Sequence, residues 1–176
     1  MIRSFDCKEY FNDTFNEKCI ETIDDILQYS ICCYRFPDCE HPTIQSHNSL
    51  LNENNEYFKI LKNSFLDTLK NYLNEDFKII YFNHWVYKVE KNQKTSGLWH
   101  NHIIDKTCDR EISGLLYLNK TDIGTEFDEY IISPSMYKWY LWESNLQHRV
   151  LPEVSKDKRY TIATSIGINK SSINKK

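Results

Sequence analysis

The stretch Lys78–Glu90, KIIYFNHWVYKVE, decides how the chain is to be read. It is crowded with Ile, Val, Tyr, Phe and Trp, and Trp85, Tyr87 and Val89 alternate against Val86 and Lys88, as a half-buried strand requires. Upstream the period is helical. From about Phe15 to Tyr34, Cys19, Ile20, Ile23, Ile26, Leu27 and Ile31 share one side, while Glu17, Glu21, Asp24 and Asp25 fall largely on the other. After a loop with Pro37 and Pro42, the residues Tyr57, Ile60, Leu61, Phe65, Leu66, Leu69 and Leu73 repeat the pattern. The Asn-rich run at 52–55 supplies a cap, so a second helix is expected from about Asn54 to Asn74. Downstream, strands are expected over Gly97–Ile103, Glu111–Asn119, Thr125–Phe127, Tyr130–Ser133, Tyr137–Trp142, Gln147–Leu151 and Arg159–Ile168. Short strands at this density, with Gly or Pro between several of them, argue a sandwich or jelly roll rather than alternating βα units. The fold class is therefore mainly β (α+β). We expect one domain over 1–176, with a helical buttress at 1–75, a β core at 76–168 and a flexible tail at 169–176.

Composition narrows the function. At 176 residues and 21.2 kDa the chain is long enough for one sizeable core. A formal charge of −3, with Lys and Arg scattered rather than striped, disfavours nucleic acid and anionic membrane as partners. No run of about twenty apolar residues spans a bilayer, and the polar, acidic start MIRSFDCKEYFND lacks the apolar core of a signal peptide, so a soluble cytoplasmic protein is expected. The cysteines at 7, 19, 32, 33, 39 and 108 lack paired CxxC spacing, and reduced thiols are expected. Cys32, Cys33, Cys39 and His41 are close enough for a small metal knot, but their spacing matches no common site.

The chemistry concentrates in Trp99-His100-Asn101-His102, with His148 far downstream and then Arg159-Tyr160-Thr161. Imidazoles two apart on an extended strand share a face, so His100 and His102 can close on one ion while His148 arrives from another strand. Any one of these histidines alone reads as a polar residue in a half-buried sheet. Together with Arg159, a fixed cation able to anchor a carboxylate beside the metal, they favour a metal site.

These residues fall in a longer order: His100 and His102, then Ile112-Ser113-Gly114-Leu115-Leu116-Tyr117-Leu118-Asn119, Gly124-Thr125-Glu126-Phe127, Ile132, Pro134, His148 and Arg159-Tyr160-Thr161. From about Val86 to Ile168 the sequence resembles the iron(II)- and 2-oxoglutarate-dependent oxygenases, in particular the prolyl 4-hydroxylase-like branch and its phage and viral relatives. The resemblance implies a double-stranded β-helix (jelly roll) holding Fe(II) through two histidines and a third ligand. Positions stay open for dioxygen and for 2-oxoglutarate, which chelates through its keto acid end. It also implies that Arg159 pairs with the distal carboxylate of 2-oxoglutarate and that Thr161 adds a hydroxyl. Tyr117 and Tyr87 are phenols placed to touch the co-substrate or to serve as core aromatics.

The departure is at the carboxylate ligand, because His102 stands where the family has Asp or Glu. Either His102 is the third ligand, or a carboxylate comes from Asp105 or Glu126 while one imidazole orients ligand or substrate, or iron chemistry has been lost. Three functions follow. The first is a hydroxylase that oxidatively decarboxylates 2-oxoglutarate to succinate and CO2 and transfers hydroxyl to a peptide, a protein side chain or a small molecule. The second is a cupin-like three-His metalloenzyme without 2-oxoglutarate, in which Arg159 would be idle. The third is a non-enzymatic β-sandwich binding module with Trp99, Tyr137, Trp139, Tyr140 and Trp142 on a recognition face. The N-terminal helices are expected to buttress the main sheet or to mediate a homodimer.

Overall fold

The computed structural model of the chain describes residues 1–29, 44–45, 55–95, 97–105 and 107–171. Its elements run β1 (Arg3–Asp6), α1 (Asp13–Tyr29), β2 (Ile44–Gln45), α2 (Glu56–Leu73), β3 (Phe77–Val89), β4 (Arg110–Tyr117), β5 (Thr125–Phe127), β6 (Tyr130–Ile132), β7 (Lys138–Glu143), β8 (His148–Val150) and β9 (Arg159–Lys170). Ser30–Tyr34, the end of the first expected helix, lies outside the described residues, as do Cys32, Cys33, Cys39 and His41. Cys7, Cys19 and Cys108 are free thiols.

The strands form two antiparallel sheets, a six-stranded one in the order β1-β7-β4-β9-β3-β2 and a three-stranded one in the order β6-β5-β8. Alternation along the central strands sends side chains to two cores. On the outer face of the large sheet, Val86, Ile112, Leu116, Trp139, Leu141 and Ile162 pack with Ile23 of α1 and Phe58, Leu61, Phe65 and Leu69 of α2. On the inner face, Leu115, Tyr117, Tyr140 and Trp142 pack with Phe127 and Ile132 of the small sheet. The result is a sandwich with helices on one side. Each fully buried Leu or Phe in it contributes about 1.5–3 kcal/mol.

The helices start and stop where their side chains dictate. The Asn55 side chain accepts from the N–H groups of Tyr57 and Phe58 at the start of α2, and Asn74 ends it in the left-handed region, φ 53°, donating its N–H to the Lys70 carbonyl. Lys88 of β3 ties α1 to the outer face through Asp24, 2.6 Å away, and Asp24 also accepts from the Tyr160 hydroxyl at 2.8 Å.

Several expectations are corrected. The region before residue 75 is not wholly helical, because β1 extends the large sheet beside β7 and β2 extends it beside β3. Asn169 and Lys170 are not tail but the end of β9, paired with Lys78 and Phe77. Gly97–Ile103 forms no ladder and contributes a single bridge, His100 to His148. Trp139, Tyr140 and Trp142 form no recognition face, since they are 1%, 7% and 2% exposed and belong to the two cores.

Candidate metal centre

The histidine segment enters the site through Gly97, whose φ of +58° only glycine adopts readily and whose Cβ, if present, would meet Pro152 at 2.5 Å. His100 and His148 then exchange both backbone hydrogen bonds, at 3.0 and 2.9 Å, and the His102 N–H donates to the Ser144 carbonyl at 3.0 Å. Beyond His102 the chain is held by Glu111 of β4. Its Oε1 accepts from the N–H groups of Ile104 and Asp105, at 2.9 and 2.7 Å, and from the Tyr81 hydroxyl.

These backbone constraints bring the three imidazoles together. Ring centroids lie 4.4 Å apart for His100 and His148, 4.8 Å for His102 and His148 and 4.9 Å for His100 and His102. One ligand nitrogen from each lies within 4.8 Å of the others. The Nδ1 atoms of His100 and His148 sit 3.0 Å from the carbonyls of Leu98 and Leu146. A carbonyl only accepts, so both Nδ1 atoms carry the proton and both Nε2 atoms present a lone pair. His102 Nε2 is 3.1 Å from His148 Nε2 and donates to it.

Burial, with the neighbouring imidazoles His148 and His100 adding to it, lowers the pKa of His102 to about 3. Burial likewise lowers that of His148 to about 4, with His100 adding to the shift and the Leu146 carbonyl opposing it. Both rings are therefore neutral at pH 7, as metal ligands must be. Aromatic walls fix them: Trp85 meets His102 edge-on at 4.9 Å and Phe127 stacks on His148 at 5.4 Å.

A cavity of about 320 Å³ leads from the imidazoles to Arg159 and Thr161 on β9. Arg159 is 1% exposed, and among the described residues no carboxylate lies within ion-pair distance of it. Its hydrogen bonds all go to neutral oxygens: the Ile123 carbonyl at 3.3 Å, Thr161 Oγ1 at 3.2 Å and Thr125 Oγ1 at 3.4 Å. Tyr87 and Tyr117, in register with Thr161 on either side, place their rings 5.2 and 5.3 Å from the guanidinium carbon. Taking a cation this far from water costs several kcal/mol unless an anion answers it. The cavity thus offers neutral metal donors near one end and an uncompensated cation near the other.

The sequence-derived residues divide cleanly. His100, His102, His148, Arg159, Thr161 and Tyr87 line this one cavity, and Tyr117 lies beside Arg159 with its hydroxyl 2.9 Å from Thr125 Oγ1. Glu126 and Asp105 do not join the imidazoles. Glu126 points away from the neighbouring Thr125 and Phe127 side chains and pairs with Arg149 at 2.6 Å, while Asp105 accepts from the backbone and hydroxyl of Thr107. Sequence reasoning missed Thr125 as a partner of Arg159, Trp85 and Trp142 as cavity walls, and Glu111 as the anchor of the His102 segment. Only Thr125 carried a signal, its place in the GTEF segment.

No protein-family model and no curated protein sequence matches the chain. Solved structures do match its fold. The viral collagen prolyl hydroxylase of Paramecium bursaria Chlorella virus-1, solved as its 2-oxoglutarate complex, superposes with a TM-score of 0.64 at 12% identity over 96% of both chains. A Pseudomonas putida prolyl-4-hydroxylase gives 0.66 at 10% identity, over 97% of this chain and 93% of that one. HygX of Streptomyces hygroscopicus, solved with nickel and 2-oxoglutarate, gives 0.62 at 10% identity, over 94% and 82%. The chain has the double-stranded β-helix fold of the 2-oxoglutarate oxygenases. Within this double-stranded β-helix, His148 opens the small-sheet strand β8 and Arg159 opens the large-sheet strand β9, so the cavity lies between the two sheets.

Proposed function

We propose that the chain is an Fe(II)- and 2-oxoglutarate-dependent oxygenase, a hydroxylase acting on a peptide, a protein side chain or a small molecule. The observation that carries this reading is Arg159, a buried cation with no carboxylate partner among the described residues, in the same cavity as three imidazoles. The donor set fits the metal: Nε2 of His100 presents its lone pair, and the Nε2 atoms of His148 and His102, which share a hydrogen bond, both become donors once the His102 proton moves to Nδ1. The cationic end fits a dicarboxylate. Arg159 binds the distal carboxylate through its planar fork, and Thr161 and Thr125, now bonded to it, hold it in place. Tyr87 and Tyr117 fix the plane of the guanidinium, and Trp85, Leu115 and Trp142 keep bulk water from the cavity wall. When bound, iron and 2-oxoglutarate together activate dioxygen, with oxidative decarboxylation of the co-substrate and delivery of one oxygen atom to the substrate.

In this reading His102 replaces the carboxylate ligand, and the protein brings no negative charge to the metal. A cupin-like enzyme without 2-oxoglutarate would leave Arg159 buried with no task, which is the physical argument against it. The two are separated by isothermal titration of 2-oxoglutarate into Mn(II)-loaded protein and its Arg159→Ala variant. Binding that Arg159→Ala weakens is expected, and equal affinity in both would favour the cupin-like function. Among the described residues no helix is long and apolar enough to cross a membrane, and a cytoplasmic single-domain enzyme is part of the proposal. Ile23, Phe58, Leu61 and Phe65 already pack on the sheet, so a homodimer through the helices would use their outward faces. Light scattering of the purified chain tests for it.

A further inference from the structure

Trp142 of β7 is 2% exposed and lines the cavity beside His148, their ring centroids 5.1 Å apart. Its indole Nε1–H is shielded from solvent and has no hydrogen-bond acceptor among the described residues. Trp139, three residues earlier and on the opposite face of the same strand, donates its Nε1–H to Ser64 Oγ at 3.0 Å. Buried donors left unmade are rare in native proteins, and each asks for a reason. The imidazole beside Trp142 cannot be the acceptor, because His148 Nδ1 donates to the Leu146 carbonyl and its Nε2 lone pair receives His102. A ligand bound in the cavity beside His148 supplies such an acceptor once the indole turns its sealed N–H toward it.

We propose that Trp142 is a co-substrate-binding residue: its Nε1–H donates to an oxygen of the keto acid end of 2-oxoglutarate, while Arg159 holds the carboxylate at the other end. This rests on the oxygenase reading above. A buried tryptophan supplies a donor that never ionises, which suits an anion bound next to a metal ion. It also supplies a donor for the co-substrate at a centre where the family's carboxylate is replaced by an imidazole.

The test is the indole region of a proton–nitrogen correlation spectrum of the full chain, loaded with Zn(II) as a diamagnetic metal. The four tryptophans give four indole signals, and that of Trp142 is the one missing in Trp142→Phe. If that variant does not fold, Trp85→Phe, Trp99→Phe and Trp139→Phe assign it by elimination. We expect 2-oxoglutarate, added to the Zn(II) protein, to move the Trp142 indole proton downfield and slow its exchange with water, and Zn(II) alone not to do so. Trp142→Phe should raise the Kd for 2-oxoglutarate about tenfold or more, with Trp139→Phe unchanged. Calorimetric binding of 2-oxoglutarate with the Trp142 signal unmoved would overturn this inference and leave the oxygenase reading standing. So would a signal held upfield by the Phe127 ring in every state, or a full shift with Zn(II) alone. No binding of 2-oxoglutarate at all would overturn both.

Discussion

Replacing Arg159 by Ala removes the guanidinium at the inner end of the cavity, and the effect on 2-oxoglutarate should be large because among the described residues that group has no carboxylate partner. Truncating one partner of a buried charged pair costs about 2–5 kcal/mol, so KM for 2-oxoglutarate should rise at least roughly 30-fold. Mn(II) affinity without co-substrate should hold, and an equal loss of both in titrations would show a folding defect instead. The imidazoles make a pH prediction. His102 and His148 have folded pKa values of about 3 and about 4, below the ordinary value of 6.5. Below pH 6.5 the unfolded chain takes up protons that the folded metal-free protein refuses, so their contribution is present above 6.5 and fades as pH falls toward 4 and 3. Thermal unfolding of the metal-free protein from pH 7 to 4.5 should show Tm falling, with a shallower fall in His102→Gln. Parallel curves for the two proteins would mean that the fold does not hold His102 neutral.

The pairing of β4, β7 and β9 sets the site, and two residues of β4 show how. Glu111 on its inner face grips the backbone just after His102. Glu111→Ala should leave the far-ultraviolet circular dichroism unchanged and weaken Mn(II) binding roughly tenfold, the usual order for losing a group that supports a ligand; unchanged affinity would show that the segment holds itself. Gly114 on the outer face admits Phe65 of α2, and a Cβ there would meet the Phe65 ring at 2.5 Å and Thr164 Oγ1 at 2.6 Å. Gly114→Ala should therefore destabilise by about 1–3 kcal/mol through overpacking, read from the denaturation midpoint. Elements with a strong period were legible in the sequence: α2, β3, β4, β5 and β9 fall within a few residues of expectation. The strands β1 and β2 were not. Arg3–Asp6 is mostly polar and the side of β2 is two residues long, so neither offers a period, and both form only because the large sheet offers β7 and β3 as partners.

Across the whole molecule, residues far apart in sequence meet because two sheets close on one another. His148 and Arg159 were legible as candidate site residues because their types are costly to bury without a purpose, and His100, which is exposed, because it stands two residues from a second imidazole. A third donor could not be picked from the sequence, because whether a carboxylate is engaged elsewhere is decided by tertiary contacts: Glu126 pairs with Arg149 and Asp105 accepts from Thr107, and neither joins the imidazoles. Trp142 was read as part of an aromatic surface, because a sequence cannot show that an indole N–H lacks an acceptor. The three imidazoles and the guanidinium face one cavity, and under the proposed function a single ligand that chelates a metal and carries a second carboxylate answers both. The most direct test is to add 2-oxoglutarate, without oxygen, to protein loaded with Fe(II). A saturable metal-to-ligand charge-transfer band is expected, with half-saturation at much higher 2-oxoglutarate in Arg159→Ala. Iron-loaded protein that shows no such band at any 2-oxoglutarate concentration would contradict the oxygenase reading.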